Sequence, residues 1–532
     1  MISNINVLIG VLWFASAIVD YSDFCYVWQW KDYRLDRMRD FMSTQRGKDF
    51  WRKYSLLWRS LIVIVVFFWP INNILTIKYF LIALFSFELI KNGYFFFKHK
   101  LPHPVFTKKA MLLIAVSLFV EAGLFAIMKD WSVPFLLMIL RFFILSFVSI
   151  LFLLPTRLAK KYIIKKAGKK IAKNKDLIVI GVTGSYGKTS VKTFLSHILS
   201  KKFKVIKTPK NINTETGIAF FILKNNFSDV DIFVVEMGAY RIGEIKMICD
   251  MVKPKIGILT AISDQHLALF GDIKQTQSAK YELLHSIPKD GLSVVNADNP
   301  LCREYLDDLD SEVLTFGLDE EQKPTCLIKD VQSTKDGLSC SNLIKGETIN
   351  IKTALVGAHN VMNLAPCILV ANYLGMSMQE IIEQSKTLEA PDKTLKIYKY
   401  GKSTIIDDSY NANYHGFCSA LDVLSTFPSE LERVVITNGI PELGSKSREI
   451  HEKIGGEIAY VADILVVVNK DFIKPLEKGV GEKYNTKVLF IDNANELVSF
   501  VKKFKDKETV ILIESRVMPS VYEEIISNKN ES

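Results

Sequence analysis

Long apolar stretches lie almost entirely within the first 155 residues of the chain. Five of them are long enough, or nearly so, to cross a bilayer, because about 20 helical residues span its hydrocarbon layer. The five are Ile2 to Val19, Ser60 to Ile77, Tyr79 to Phe97, Ala110 to Met128 and Val133 to Leu154. No basic residue precedes the first stretch, which favours an uncleaved helix over a signal peptide. The pattern predicts an α-helical membrane domain of about five helices over residues 1–155.

Basic residues indicate which side of the membrane each loop faces. Nine lie between the first two stretches, from Lys31 to Arg59, whereas the residues before the first stretch are uncharged. By the positive-inside rule the amino terminus is outside, so five spans place everything after Pro155 in the cytoplasm. We therefore expect a multi-pass protein of the cytoplasmic membrane with cytoplasmic catalytic domains. Four charged residues fall within or near the spans, where they either pair between helices or bind a lipid headgroup. They are Glu88, Lys91, Glu121 and Arg141.

A basic juxtamembrane segment follows at residues 156–175. It contains nine basic residues from Arg157 to Lys175 and no acidic one, and it accounts for most of the net charge of +10. Such a run beside a span suits anionic headgroups, so membrane lipids are an expected partner. No nucleic-acid-binding module accompanies the charge, and nucleic acid is not expected as a partner. The seven cysteines form no metal-ligand spacing, which argues against a zinc site or a disulfide framework.

The pattern changes to a β-strand, a glycine loop and a helix at residues 176–199. The apolar run Asp176 to Ile180 predicts the strand, and Val191 to Leu199 predicts the helix. Backbone N–H groups of a glycine loop at a helix start bind phosphate oxygens. Within the loop, Lys188 can neutralise phosphate charge and the Thr189 hydroxyl can hold Mg²⁺. The predicted ATP-binding residues of the loop are Gly184, Ser185, Tyr186, Gly187, Lys188, Thr189 and Ser190.

Two further strands are predicted at Asp231 to Val235 and Lys255 to Thr260. The first ends at Glu236 and the second near His266. Carboxyl ends of parallel strands face one crevice, so both side chains are placed to join Thr189 around a metal ion. Taken alone, either residue is more often structural.

The remaining pattern predicts the fold class as a P-loop central domain with a mostly parallel sheet, plus a smaller Rossmann-like C-terminal domain. We assign residues 176–389 to the central domain and 390–532 to the C-terminal domain. Hairpins at the domain edge are predicted in Gly317 to Lys352, and helices are predicted at Asn360 to Leu374 and Met378 to Leu388. The C-terminal strands are predicted at Ser403 to Ile406, Arg433 to Thr437, Asp463 to Val468, Lys487 to Ile491 and Thr509 to Ile513.

A series of motifs after residue 176 resembles the Mur ligase family, the ATP-dependent amide-bond formers of cell-wall precursor synthesis. The branch that it resembles most adds D-alanyl-D-alanine to a muramoyl tripeptide. The motifs are Thr183 to Thr189, Asn211 to Gly217, Glu236 to Gly238, His266, Lys280, Asn296 to Asp298, Gly357 to Asn363, Asp407 to Asn413, and Pro441 to Gly444 with His451.

The resemblance implies roles for individual residues. A substrate carboxylate would be phosphorylated by ATP and the acyl phosphate attacked by an amine, with Lys188, His266 and Lys280 as catalytic residues. The metal ligands would be Thr189, Glu236, His266 and a carbamoylated Lys280, holding Mg²⁺. Adenine would lie near Asn360 and Asn363, and Asp407 would approach the ribose. The substrate-binding residues would be Asn211, Asn213, Ser409, Tyr410, Asn411 and Asn413.

Several positions depart from the family pattern. The amino-terminal domain that holds the UDP group is missing, and membrane helices occupy its place. Pro391 to Leu395 lacks the usual Gly-Arg pair, and Asn438-Gly439 stands in place of Gly-Asp. Ile513-Glu-Ser-Arg516 keeps Ser-Arg but loses the preceding Lys-Gly. These changes concern recognition of the acceptor and the amine more than the use of ATP.

Our main hypothesis is therefore a membrane-anchored ATP-dependent acid–amino acid ligase. It would add an amino acid or a dipeptide such as D-alanyl-D-alanine to a cell-wall precursor. The acceptor is expected to be lipid-linked, with a UDP-linked peptide as the second choice. The alternative function is a degenerate, nucleotide-binding membrane scaffold for cell-wall enzymes.

Overall fold

The computed structural model describes most of the chain in two compact units, Met1–Lys160 and Lys161–Ser532. The described residues are 2–44, 47–48, 50, 59, 64, 74–97, 103–128, 130–209, 212–239, 241–263, 272–409, 412–441, 443–482 and 485–527.

The first unit consists of helices. They are Ile2–Trp30, Leu35–Ser43, Ile74–Phe97, Lys108–Met128 and Val133–Leu151, followed by Leu153–Ile171, which continues into the second unit. The first helix extends beyond Val19, where the apolar stretch was predicted to end. Asp20 interrupts the apolar run, but Tyr21, Cys25 and Trp28 continue a buried face at helical spacing.

Three helical segments among the described residues are long and apolar enough to cross a membrane, namely Asn4–Trp30, Lys108–Met128 and Val133–Ile171. The helix Ile74–Phe97, which contains Lys78, Glu88 and Lys91, is not one of them. Most of the predicted stretch Ser60 to Ile77 lies outside the described residues. The number of spans and their orientation stay predictions.

Five buried charged side chains form an ionic cluster inside this unit: Asp20, Arg59, Glu88, Glu121 and Arg141. Arg59 donates to Asp20 over 3.1 Å and to Glu88 over 3.1 Å. Arg141 donates to Asp20 over 2.9 Å and to Glu121 over 3.1 Å. Because a charge in apolar surroundings is costly without a partner, these pairs fix the helices against one another. Of the two alternatives predicted for Glu88, Glu121 and Arg141, pairing between helices or binding of a lipid headgroup, pairing is confirmed.

Polar side chains of the first helix complete the cluster. Glu121 accepts hydrogen bonds from Trp13 Nε1 and Tyr21 Oη, each over 2.7 Å. Ser16 Oγ donates to Glu88 over 3.0 Å. The first helix therefore contacts both glutamates through neutral donors, and it contacts the two arginines through Asp20.

The second unit contains a nine-stranded sheet in the order β2-β3-β1-β4-β5-β6-β7-β8-β9. The strands β1 to β7 pair in parallel, whereas β7, β8 and β9 form the predicted antiparallel hairpins at the sheet edge. The bounds are β1 Ile178–Thr183, β2 Val205–Lys207, β3 Ile232–Glu236, β4 Ile256–Leu259, β5 Leu292–Asn296, β6 Glu312–Gly317, β7 Cys326–Thr334, β8 Gly337–Ile344 and β9 Glu347–Thr353.

Helices cover both faces of this sheet, as a parallel sheet of buried β-branched strands requires. Lys188–Leu199 and Asn360–Tyr373 pack on one face, where Phe194, Leu195 and Leu364 are in the core. Glu215–Lys224, Glu244–Val252 and Ile273–Leu284 share a second core. The unit's remaining elements around this sheet are the helices Pro300–Arg303 and Met378–Lys386 and the 3₁₀ turns Leu306–Asp308 and Glu320–Gln322.

A six-stranded sheet in the order β10-β11-β15-β12-β13-β14 follows. The strands are β10 Lys396–Tyr400, β11 Ser403–Asp408, β12 Glu432–Thr437, β13 Ile464–Val467, β14 Lys487–Phe490 and β15 Thr509–Glu514. The helices are Tyr414–Ser425, Ser447–Val461, Ile473–Val480, Ala494–Lys502 and Pro519–Ser527, with a 3₁₀ turn at Gly444–Lys446. All five predicted strands are confirmed. The short antiparallel edge strand β10 was not predicted.

Replacing Arg141 by Met should strongly destabilise the helical unit. The three buried carboxylates of the cluster would then have one guanidinium to pair with instead of two. We expect a loss of about 3–5 kcal/mol in unfolding free energy. Asp36→Asn is the control, since Asp36 pairs with Arg34 at a partly exposed site and should cost about 0–1 kcal/mol. Thermal unfolding of the detergent-solubilised variants measures both, and equal losses would contradict the argument.

Candidate active site

A cavity of about 1020 Å³ lies at the carboxyl ends of the central strands of the nine-stranded sheet. All seven predicted loop residues from Gly184 to Ser190 line it. Three residues next to the six-stranded sheet line the same cavity. Asp408 ends β11, Arg516 follows β15, and Asn413 precedes the first helix of this sheet. Groups from both sheets thus surround one crevice, the usual ligand position in open α/β folds.

Two glycines shape the loop after β1. Gly184 and Gly187 have φ angles of 151° and 81°. A Cβ atom on Gly184 would collide with Thr260 Oγ1, and one on Gly187 would collide with Asn363 Oδ1. The helix Lys188–Leu199 begins directly after Gly187 without a side-chain cap, so its first N–H groups face the cavity end of the loop. This is the arrangement that binds phosphate.

The Lys188 side chain folds back over the loop. Its Nζ atom donates to the carbonyl oxygens of Gly184 over 2.6 Å and Ser185 over 3.0 Å. Burial lowers the pKa of Lys188, and the nearby Glu236 carboxylate opposes that shift. A bound phosphate would supply the anionic partner that favours the charged amine.

Glu236 is the polar centre of the site, at the end of β3. Its Oε2 atom accepts hydrogen bonds from Thr189 Oγ1 over 3.0 Å and Lys192 Nζ over 2.8 Å. Its Oε1 atom accepts one from Asn213 Nδ2 over 3.1 Å. The structure therefore places Thr189 beside Glu236, as expected from the strand ends. Asn213, predicted as a substrate-binding residue, contacts the same carboxylate. Lys192 was missed, although it follows Lys188 by one helical turn and so lies on the same face.

The donor set at Glu236 fits Mg²⁺. Carboxylate and hydroxyl oxygens are preferred Mg²⁺ ligands, and this ion usually keeps water and takes phosphate oxygens as well. Among the described residues no group of three or more His, Cys, Asp or Glu side chains could hold a metal alone. Glu236 and Thr189 would thus hold the ion together with phosphate. His266 lies in residues 264–271, outside the described part of the chain.

Lys280 approaches the loop from the helix Ile273–Leu284. It lines the cavity, is 4% exposed, and donates from Nζ to the Gly184 carbonyl over 3.1 Å. Burial, and secondarily the charge of Lys188, hold the pKa of Lys280 well below its usual value. Both effects disfavour the charged form of this amine relative to that of an exposed lysine.

The segment predicted to contact the nucleotide base also lines the cavity. Asn360 Nδ2 donates to the Val356 carbonyl over 2.8 Å, and Asn363 Nδ2 donates to Asn360 Oδ1 over 3.0 Å. His359, which sequence analysis did not select, lines the cavity beside them. Its buried Nδ1 has no hydrogen-bond partner in the described part of the chain, and burial lowers its pKa to about 4. His359 is therefore a neutral ring available to a ligand.

The structure places the two carboxylates at the start of the Asp407 to Asn413 motif differently. Asp408, and not Asp407, lines the cavity. Asp407 is 5% exposed and accepts a hydrogen bond from the Ser409 N–H over 3.2 Å. Adjacent residues of a strand point to opposite faces, so only one of the two carboxylates can face the crevice.

The other predicted substrate-binding residues divide into three groups. Asn413 lines the cavity and caps the helix Tyr414–Ser425, accepting from the Gly416 N–H over 3.0 Å. Ser409 is buried against Asp407. Asn211, Tyr410 and Asn411 lie outside the described residues.

Comparisons with known proteins agree with this geometry. Residues 182–371 match the model of the Mur ligase middle domain, and residues 395–516 match the model of the Mur ligase, glutamate ligase domain. A UDP-N-acetylmuramoyl-tripeptide--D-alanyl-D-alanine ligase of Synechocystis is 30% identical over 282 residues, which are 53% of this chain and 59% of the relative. The chain thus spans about three fifths of the length of that relative.

Solved structures show the same fold. MurF from Acinetobacter baumannii has a TM-score of 0.62 and 23% identity, over 70% of this chain and 81% of that chain. MurF ligase from Thermotoga maritima in complex with ADP has a TM-score of 0.60 and 24% identity, over 70% and 84% of the two chains.

The two family models together match more than half of the sequence, and they cover the strands, the phosphate loop and the carboxylates that surround the cavity. The chain belongs to the Mur ligase family.

Proposed function

We propose that the protein is an ATP-dependent acid–amino acid ligase that acts on a cell-wall precursor at the cytoplasmic face of the membrane. The observation that carries this proposal is the convergence of Lys188, Thr189, Glu236 and Lys280 on one cavity. The curated relatives that it matches are named as ligases for D-alanyl-D-alanine and a UDP-linked muramoyl tripeptide. We propose D-alanyl-D-alanine as the amine that is added.

The proposed reaction has two steps. An oxygen of the acceptor carboxylate attacks the γ-phosphorus of ATP, ADP leaves, and an acyl phosphate forms. The amine then attacks the acyl carbon, loses a proton, and releases inorganic phosphate as the amide bond forms. The loop N–H groups and Lys188 bind and orient the transferred phosphoryl group, and their fixed positions stabilise its charge without rearrangement. Bound Mg²⁺ would neutralise phosphate charge beside Glu236 and Thr189.

Features of the first 175 residues support a membrane location. Three helical segments have the length and composition of membrane spans, and the family models begin only at residue 182. The helix Leu153–Ile171 carries most of the basic segment, with Leu158 60% and Tyr162 68% exposed. Exposed apolar and basic side chains on one helix favour an anionic lipid surface. We therefore propose a lipid-linked acceptor, with the UDP-linked tripeptide as the alternative.

We retain the domain division proposed from the sequence. Residues 1–155 would form the membrane domain and 156–175 the lipid-binding segment. The central ligase domain would occupy 176–389 and the C-terminal domain 390–532. The degenerate scaffold is the competing function, and it predicts that the phosphate-loop lysine is dispensable.

Lys280 should react with carbon dioxide. In its neutral form, which burial favours, the amine would attack CO₂ and lose one proton, which gives a carbamate that could hold a second metal ion. Carbon-13 NMR of the full chain in labelled bicarbonate should show a carbamate signal that Lys280→Ala removes. Lys201→Ala, at an exposed lysine, should keep it. A spectrum unchanged by Lys280→Ala would refute carbamoylation at this residue.

Lys188→Ala should reduce ligation about 100- to 1,000-fold, the usual cost of removing one preorganised electrostatic group. The assay is phosphate release from ATP by the detergent-purified chain with D-alanyl-D-alanine and either the UDP-linked or the polyprenyl-linked muramoyl tripeptide. Lys201→Ala is again the control. Release only with the polyprenyl form would support the lipid-linked acceptor, and release with the UDP form would overturn it. Absence of release with both acceptors would argue for the scaffold, and full ligation by Lys188→Ala would contradict the role given to Lys188.

A further inference from the structure

Two acidic side chains meet where two neighbouring strands of the six-stranded sheet end. β11 and β15 are parallel, and their register places Asp408 directly beside Glu514. Asp408 lines the cavity, whereas Glu514 is completely buried behind it. Paired carboxyl groups at the wall of a ligand cavity require a specific arrangement of protons, because two adjacent negative charges in a buried site repel strongly.

The hydrogen bonds indicate where that proton lies. Neither carboxyl oxygen of Glu514 has a donor within reach in the described part of the chain. The group within hydrogen-bonding reach of Glu514 is the Asp408 carboxyl, which is itself an acceptor. Asp408 Oδ1 also accepts the N–H of Leu395 over 3.1 Å. A neutral Glu514 that donates its O–H to an ionised Asp408 gives one Glu514 oxygen a partner and avoids two adjacent buried negative charges.

The surrounding groups favour this state. Burial raises the pKa of Glu514 well above its usual value, and the charges of Asp408, Asp407 and Cys418 act in the same direction. Burial also raises the pKa of Asp408 to about 7, with a further small contribution from Asp407. Tyr522, a neutral phenol, lies near Asp407 and Glu514. Of the cations around the pair, Lys393 lowers the pKa of Asp407 and Arg516 lines the cavity wall.

Glu514 is also a departure from the family pattern. It falls where that pattern has the Lys-Gly pair before Ser-Arg. The paired carboxyl groups are therefore a feature of this chain and not of the motif that identifies its family.

We propose that Glu514 is a positioning residue, kept as a neutral carboxylic acid, whose proton holds Asp408 at the nucleotide-binding wall of the cavity. The proposal rests on the proposed function in one respect, that the cavity binds a nucleotide. The arrangement needs Asp408 ionised and Glu514 protonated, so it forms as the pH rises through the pKa of Asp408 and is lost as the pH rises further through the raised pKa of Glu514. Nucleotide affinity should therefore fall in alkaline solution, when Asp408 and Glu514 both carry a negative charge.

The test combines infrared spectroscopy with MgADP binding by the full chain in detergent. At neutral pH we expect the carbonyl stretch of a buried protonated carboxyl group, and Glu514→Gln should remove it. Gln donates an N–H to Asp408 in place of the O–H, so this variant should keep neutral-pH affinity and lose the alkaline decrease. Glu514→Leu, which has no donor, should weaken MgADP binding about tenfold.

Glu524→Gln is the matched control, because Glu524 accepts from Tyr400 Oη over 3.0 Å away from the cavity. It should leave both the infrared band and the pH profile unchanged. A carboxylic acid band that persists in Glu514→Gln, or an alkaline decrease that this variant retains, would overturn the proposal. If the protein bound no nucleotide, the proposed function would fail, while the infrared band would still decide the protonation of Glu514.

Discussion

The buried carboxylate of Glu236 is the constraint on which the nucleotide site depends. It is 1% exposed, so its charge must be matched by donors, and burial without them would cost several kcal/mol. Thr189 and Lys192 supply two donors from the helix after the phosphate loop, and Asn213 supplies a third from a separate segment. One carboxylate therefore fixes the position of the loop helix relative to β3. Because the same helix presents Lys188, a single packing arrangement sets the positions of both the phosphate-loop lysine and the carboxylate.

In the helical unit, too, buried charged side chains require partners, and more of them are involved. Asp20, Glu88 and Glu121 are paired with two arginines, and neutral donors from Trp13 and Tyr21 occupy remaining acceptor sites. Apolar faces alone specify helix register weakly, because many rotations bury similar area. A charged cluster accepts one arrangement, since any other leaves a carboxylate or guanidinium without a partner. We infer that the cluster contributes more to the specificity of this packing than to its stability.

Much of the second unit was predictable because its signals are local. Runs of buried β-branched residues identify β1, β3 and β4, and Gly184 and Gly187 identify the loop through conformations that other residues rarely adopt. Strand ends then place Glu236 at the crevice, by topology alone. The edge strand β10 was missed because two of its five residues are lysines, which leaves no long apolar run.

Side-chain partners were less predictable. Lys192 was missed because a lysine inside a helix carries no sequence signal for burial, and its role depends on a carboxylate 44 residues away. The prediction chose Asp407 as the residue near the ribose, whereas Asp408 lines the cavity. Which of the two adjacent carboxylates faces the cavity depends on which face of β11 is turned toward the nine-stranded sheet. The pairing of Asp408 with Glu514 was not predictable, because it depends on the register between two strands that are far apart in the chain. These contacts are set by tertiary structure and not by local pattern.

The most direct test of the account is the Mg²⁺ dependence of ADP binding to the full chain, measured by calorimetry for the wild type and Glu236→Gln. We predict that Mg²⁺ tightens ADP binding at one site in the wild type, and that the variant binds ADP equally with and without Mg²⁺. An unchanged Mg²⁺ effect in Glu236→Gln would contradict the central place given to this carboxylate.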